Sequence, residues 1–209
     1  MPENIGNLFI LSAASGTGKS SLAKALVKEV TGLYLSVSHT TRQPRAGEID
    51  GQDYYFTDEA RFKYLVQQGD FLEWAKVFNH YYGTSRKQLS ARLERGEDVL
   101  LEIDYQGADK VRKQCPEAIS IFLLPPSLNA LQERLITRGK DSLAVIKSRL
   151  SKASEEISHF SQFDYLVVND DFNAALQALK SVTESCRLKT ARQEMHLKPL
   201  LKSLINVYN

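Results

Sequence analysis

Apolar residues gather in five short strand-like runs, Leu8 to Leu11, Leu33 to Val37, Val99 to Ile103, Ile119 to Leu124 and Tyr165 to Val168. Helical patterns fill most of the intervals, and the alternation predicts a parallel sheet wrapped by helices. The first helix is expected over Ser20 to Val30, where Leu22, Ala25, Leu26 and Val30 recur near helical spacing and Gly32 follows as a stop. Two stretches break the rhythm. Arg42 to Asp53 carries Pro44, Gly47 and Gly51, after which Tyr54-Tyr55-Phe56, a short helical pattern from about Asp58 to Gln68, and Phe71 to Val77 predict a small separate lobe. Ser127 to Phe160 is polar, helical and strongly cationic, and Arg138-Gly139-Lys140-Asp141 interrupts it, the pattern of a two-helix flap more than of core. From Asn173 to about Leu197 the pattern predicts one long amphipathic helix packed on the sheet.

The segment between the first strand and the first helix is Ser12-Ala13-Ala14-Ser15-Gly16-Thr17-Gly18-Lys19-Ser20-Ser21. Small residues there leave backbone N–H groups free to face phosphate oxygens. Lys19 can reach the outer phosphates and the Ser20 hydroxyl can ligate Mg²⁺, so the segment predicts a nucleoside triphosphate site spanning residues Ala13 to Ser21. The fit to G-x-x-x-x-G-K-[ST] is imperfect, because Ala13 stands at the first glycine. A plain Gly/Ser turn before a helix is the competing reading. The strand before and the helix after are the context that favours phosphate.

Composition narrows the picture without redirecting it. With 209 residues and 43% apolar content, one sizeable core is expected. A net charge of +2 lacks the concentrated basic footprint of a nucleic-acid or membrane-surface protein. Cys115 and Cys186 are far apart and outside any metal-ligand spacing, which predicts reduced thiols and a cytoplasmic protein. The N-terminus has no signal-peptide pattern, and no apolar run approaches the roughly 18 to 20 residues that span a bilayer.

Phosphoryl transfer calls for positive charge, a metal and alignment. Asp104 ends a strand run where a carboxylate could hold Mg²⁺ or its waters near Ser20, and Glu102 lies two residues earlier. Arg134 and Arg138, four apart, share a helix face, and Arg149 follows in the next helical segment. Three arginines could converge on one anion; a solvated basic face together with Lys140, Lys147 and Lys152 is the alternative. Arg42 and Arg45 sit three apart on a proline-stiffened loop, and Tyr54 and Tyr82 can donate phenolic O–H groups, which supplies the lobe with donors for a second phosphate. A phosphate monoester has its second pKa near 6, so such an acceptor is already largely a dianion at neutral pH and requires no general base. His39, His80, His159 and His196 show no pairing with carboxylates at catalytic or metal spacing.

Ser38 to Glu48, Tyr81-Tyr82-Gly83-Thr84-Ser85, Ile103-Asp104-Tyr105-Gln106-Gly107, Leu124-Pro125-Pro126-Ser127 and Val168-Asn169-Asp170-Asp171 occur in the order and at the spacings of guanylate kinase, which the chain resembles from about Leu8 to at least Leu188. The resemblance implies a P-loop three-layer αβα fold with a central parallel sheet, a small GMP-binding lobe and a helical lid. It implies a single domain, with a core at 5–37, 98–126 and 164–209, the lobe at 38–97 and the lid at 127–163. The implied reaction is ATP + GMP giving ADP + GDP with Mg²⁺. By the same resemblance Arg42, Arg45, Tyr54 and Tyr82 hold the GMP phosphate, and Ser38, Glu73, Thr84 and Asp104 read the base. Lys19, Arg42 and the lid arginines Arg134, Arg138 and Arg149 are the implied catalytic set, Asn169 lies where adenine is approached, and Ser20 and Asp104 form the metal shell. Glu102 is a supporting metal-shell candidate. The alanine at position 13 is a variation that the family also shows.

Three rivals are distinguishable. A binding module that keeps the fold but has lost the chemistry would show damage in the phosphate loop or the phosphate arginines, and here all are present. A GTPase would fit Asp104-Tyr105-Gln106-Gly107 as D-x-x-G, yet no Asn-Lys-x-Asp occurs in the chain. A kinase for another monophosphate would differ at the base edge formed by Glu73, Ser38 and Thr84. The segment through Leu200, Leu201, Leu204 and Ile205 either buries a face in a homodimer or finishes the monomer, and the sequence leaves both open.

Overall fold

The computed structural model of the protein describes residues 5–77, 79–137 and 143–205. The chain opens with β1 (Leu8–Ala13), α1 (Lys19–Glu29) and β2 (Leu33–Leu35). It continues through β3 (His39–Thr40), β4 (Tyr55–Phe56), α2 (Glu59–Gln67), β5 (Phe71–Val77), β6 (His80–Ser85) and α3 (Arg86–Leu93). Next come β7 (Asp98–Glu102), α4 (Tyr105–Gln114), β8 (Ile119–Leu124), α5 (Leu128–Thr137) and α6 (Leu143–Ser158). The last elements are β9 (Tyr165–Val168), α7 (Phe172–Arg187), α8 (Thr190–His196) and α9 (Lys198–Ile205).

Five strands form a parallel sheet in the order β2-β7-β1-β8-β9, with Phe9 opposite both Leu100 and Ile119. Because side chains alternate across a strand, the unbroken apolar runs cover both faces. Phe9 and Leu11 join Leu22 and Leu26 of α1 and Leu176 and Leu179 of α7 on one side. Leu8 and Ile10 join Val99, Leu101, Val111 and Phe122 on the other. The predicted αβα layering is therefore present, with the predicted strand runs matching β1, β2, β7, β8 and β9 to within two residues at each end. The strand order reverses at β1, flanked by β7 and β8. Open α/β sheets bind ligands at such a point, beyond the carboxyl ends of the strands.

A second sheet, in the order β4-β3-β6-β5, accounts for the interrupted rhythm after residue 37. Phe62 stacks on Phe71 at 4.6 Å between ring centroids and on Tyr81 at 5.4 Å, closing α2 over this sheet. The Asp58 carboxylate caps α2 by accepting the Arg61 N–H at 2.7 Å.

Two expectations need revision. The cationic stretch after residue 127 is more than a flap: Leu131, Leu135, Ile146 and Ala153 of α5 and α6 are buried in one cluster with Ala14 of the phosphate loop. The long C-terminal helix is not continuous, since α7 ends at Arg187 and the chain resumes helix only at Thr190. Asp98 at the start of β7, fully buried, spans the break, accepting from Arg187 Nε at 2.7 Å, Arg192 Nη1 at 2.6 Å and the Asn7 N–H at 2.7 Å. Two arginines five positions apart can converge on one carboxylate only if the chain bends between them. Gln193 caps the break by donating to the Arg187 carbonyl at 2.9 Å. Removing one partner of a buried ion pair strands the others, so Asp98→Ala is expected to cost about 3 kcal/mol. For a chain of this size that lowers the melting temperature by about 10 °C in a thermal unfolding scan. A shift under about 2 °C would remove Asp98 as the clasp.

Candidate active site

The phosphate loop runs from the end of β1 into α1. Ala13 is still strand, paired with Leu123 and nearly buried, so this position needs no glycine. Glycine is needed further on. Gly18 has φ +98°, and a Cβ there would lie 2.7 Å from the Asn169 amide nitrogen. Gly16 has φ +93°, and a Cβ would lie 2.9 Å from Leu135. The buried Asn169 side chain donates to the Thr17 carbonyl at 2.7 Å, which ties the loop to the end of β9. Lys19 Nζ donates to the Ile103 carbonyl at 2.8 Å, just past β7.

The Ser20 hydroxyl donates to the Glu102 carboxylate. The other acid nearby, Asp104, caps α4, its Oδ1 accepting the Gly107 N–H at 2.8 Å. Glu102, placed in a supporting role by sequence, is the carboxylate on Ser20.

Opposite the loop, a β-bulge sets the most distinctive acid of the lobe. Phe71 pairs with Ser85, but Glu73 pairs with Thr84, so Leu72 is the extra residue and Glu73 faces Thr84 directly. Thr84 Oγ1 donates to Glu73 Oε1 at 2.6 Å, and both residues are buried. Burial pushes the Glu73 carboxyl up to about 7, with Asp104 reinforcing the shift and Thr84 and Lys110 opposing it. Burial likewise raises the Tyr54 phenol to about 12, so it remains a donor.

Lys19, Ser38, Tyr54, Glu73, Tyr82, Glu102 and Asp104 line one cleft of about 170 Å³. Loop side and lobe side thus face each other across a single space. Arg42, on the rim of the lobe, donates from Nη2 to Glu48 Oε1 at 2.8 Å and lies over the Tyr54 ring at 5.3 Å. The Arg45 N–H donates to the other oxygen of the same carboxylate at 2.8 Å, and Arg42 holds Glu48 below the usual carboxylate range. Glu48 went unremarked in the sequence, although its position six after Arg42 and three after Arg45 on one loop was a signal. Lys24 of α1 joins Asp53 of the lobe at 2.7 Å, a link between the two sides.

The lid arginines are placed unequally. Arg134 Nη2 donates to the Asn169 carbonyl at 2.9 Å, so it braces the loop after β9. Arg149 is on α6 and partly buried. Arg138 lies outside the described residues.

The glycine-rich loop before α1 and the lobe that carries the buried Glu73 carboxylate meet at one cleft. The family model for guanylate kinase matches residues 5–186. This chain belongs to the guanylate kinase family. The guanylate kinase of Haemophilus ducreyi is 49% identical over 203 residues, covering 96% of this chain and 98% of that protein. That of Hahella chejuensis is 52% identical over 201 residues, covering 96% and 97%. In three dimensions the crystal structure of guanylate kinase from Anaplasma phagocytophilum superposes with a TM-score of 0.77 at 35% identity, covering 92% of both chains. The similarity thus extends through core, lobe and helical pair alike. Among the described residues no helix is long and apolar enough to cross a membrane.

Proposed function

We propose that the cleft transfers the γ-phosphoryl of ATP to GMP, giving ADP and GDP, with ATP at the phosphate loop and GMP in the lobe. Membership of the guanylate kinase family carries the reaction, and one observation carries its placement here: Lys19 and Glu102 line the same space as Glu73 and Ser38. An oxygen of the GMP phosphate attacks Pγ, the bond from Pγ to the β-bridging oxygen breaks, and ADP leaves with that electron pair. The attacking phosphate is already largely ionised at neutral pH, so the protein has only to align it and neutralise charge.

Each group then has a task. Loop N–H groups from 13 to 21 and Lys19 hold the triphosphate, and the Lys19 ammonium leaves the Ile103 carbonyl to do so. Arg42, Arg45, Tyr54 and Tyr82 take the GMP phosphate, whose dianion displaces the Glu48 carboxylate from Arg42. Arg134, Arg138 and Arg149 belong to a lid, residues 127–163, that covers the phosphates, while 38–97 is the GMP lobe and the rest the core. Guanylate kinases are ATP-dependent kinases that generally need Mg²⁺. The Ser20 hydroxyl and Glu102 carboxylate, already in contact, are hard oxygen donors of the kind Mg²⁺ takes. The Ser20 hydroxyl and the Glu102 carboxylate would hold the ion or its waters, and the ion would supply positive charge against the charge that develops on the phosphates.

Guanine presents N1–H and N2–H₂ along one edge, and the ionised Glu73 accepts from both, with Ser38, Thr84 and Asp104 around it. The pH dependence follows from its raised pKa. A carboxyl raised in the folded state adds stability below its unfolded value near 4.5, and loses that contribution as pH rises through about 7. Binding runs the other way, because only the ionised form accepts both donors. GMP affinity is expected to fall about tenfold from pH 8 to pH 6 beyond the loss seen in Glu73→Gln, where only the phosphate titrates. Equal pH slopes in calorimetric titrations of the two proteins would remove the assignment.

The whole reading is tested by ADP production from ATP with GMP, dGMP, AMP, UMP, CMP and dTMP in turn. Activity confined to guanine acceptors is expected; comparable turnover with AMP or a pyrimidine would sink it.

A further inference from the structure

The Ser15 N–H, inside the phosphate loop, donates at 2.9 Å to Oε2 of Glu156, a residue 141 positions away near the end of α6. Nothing assigned above uses Glu156. It is half-buried, and burial holds its carboxyl above the ordinary value, while Ser15 and the nearby Lys19 and Lys152 oppose the shift and Asp104 adds to it. Around this bond the contact is apolar: Ala14, next to Ser15, is buried against Leu131, Leu135, Ile146 and Ala153, with Ile157 packed alongside. An apolar patch of this kind resists separation but tolerates sliding, since it is non-directional. The carboxylate on the Ser15 amide adds a directional bond between α6 and the loop to this apolar contact.

We infer that Glu156 is a positioning residue, which fixes the register of α6 on the phosphate loop and so sets where Arg149 stands over the reacting phosphates. This rests on the phosphoryl-transfer reading above. Seven residues, close to two helical turns, separate Arg149 from Glu156, so the two share a face of α6 about 10 Å apart along its axis. Lys152 and Ala153 lie between them on that face, Ala153 fully buried against the loop cluster. A helix pinned at Glu156 carries Arg149 to a defined distance from the loop, a constraint in direction that the apolar contacts of Ile146, Leu150, Ala153 and Ile157 do not themselves supply. The bond also steadies the loop itself, because Ser15 lies within the stretch from 13 to 21 that is offered to phosphate. A misplacement of about 1 Å at groups that align a transferring phosphoryl can lower turnover about a hundredfold.

The test uses the full chain with ATP and GMP. Glu156→Ala is expected to lower kcat by between about tenfold and a hundredfold, with KM for GMP within about threefold of wild type, because the lobe is untouched. Glu156→Gln keeps a carbonyl oxygen for the Ser15 N–H and is expected to recover kcat to within about threefold of wild type. A purely structural role would lower the melting temperature and the yield of active protein without this split between kcat and KM or the rescue by glutamine. Should the alanine variant not fold, Glu156→Asp, one methylene short of the Ser15 amide, takes its place with the same expected loss. Wild-type kcat in the alanine or aspartate variant overturns the inference. So does tighter ATP binding in it at unchanged kcat, which would make Glu156 a competitor of the triphosphate. A glutamine variant as slow as alanine overturns it too, since charge and not the bond would then be what matters. Wild-type protein that makes no ADP from ATP and GMP would instead remove the phosphoryl-transfer reading, leaving these outcomes distinct from it.

Discussion

Glu73→Gln is expected to lower kcat/KM for GMP by about a hundredfold while leaving KM for ATP within about twofold of wild type. In the proposed complex the carboxylate accepts from both guanine donors at once, and hydrogen bonds to a charged group contribute about 1.5 to 3 kcal/mol. Glutamine keeps one acceptor oxygen and turns an NH₂ toward the second guanine donor, which leaves two buried donors facing each other. The fold should survive, because Thr84 Oγ1 can still donate to the amide oxygen and the β5–β6 bulge does not depend on the charge. Losing the negative charge beside Asp104 even relieves a repulsion that contributes to the raised Glu73 pKa. Selectivity should shift as well as rate: adenine carries an acceptor at N1, which the new NH₂ can meet, so the ratio of GMP to AMP turnover falls more than the GMP rate alone implies. Steady-state kinetics with each monophosphate at saturating ATP measure this. Equal losses in kcat/KM for GMP and for ATP would remove Glu73 as the reader of guanine.

The core was legible from the sequence because its signals are local. Each run of apolar residues became a strand, and Lys19-Ser20 following a glycine-rich segment marked the start of α1 at the cleft. What escaped was the long-range polar pairing. Glu156 on Ser15 and Asp98 between Arg187 and Arg192 are separated from their partners by 141, 89 and 94 positions, and nothing in the local pattern around them marks a partner. The break at Leu188 escaped for a similar reason, since amphipathic spacing continues through it while the Asp98 carboxylate that joins Arg187 and Arg192 across it lies on another strand. Two acids two residues apart, Glu102 and Asp104, also could not be ranked by spacing. One is the last residue of β7 and meets Ser20; the other has left the strand and caps a helix. The small lobe sits between these cases: its turn residues announced a separate unit, but the bulge that turns Glu73 toward Thr84 leaves no trace in composition.

Lys19→Met is expected to lower kcat about a thousandfold, the largest loss of any single substitution considered. Methionine keeps the length and most of the apolar stem of lysine, so packing at the start of α1 is preserved while the ammonium is removed. That ammonium is held 2.8 Å from the Ile103 carbonyl, in the cleft shared with Glu102 and Glu73. A carbonyl is a neutral acceptor, so a triphosphate carrying several negative charges can draw the ammonium off it with little penalty. Once there, it stabilises charge that grows on the outer phosphates as the bond to Pγ breaks. Removing a single preorganised donor of this kind costs about a hundredfold to a thousandfold, and a full charge facing phosphates in a water-poor cleft belongs at the upper end. Lys19→Arg is expected to rescue little, because the guanidinium is planar and broad where the loop is shaped around a compact point charge. GMP affinity should change by less than about threefold in either variant, since Arg42, Arg45 and Glu73 are untouched, and unfolding curves without nucleotide should stay within about 2 °C of wild type. Turnover of Lys19→Met within tenfold of wild type would mean that the phosphate loop acts through its backbone and metal donors alone, and Lys19 would lose its place in the catalytic set.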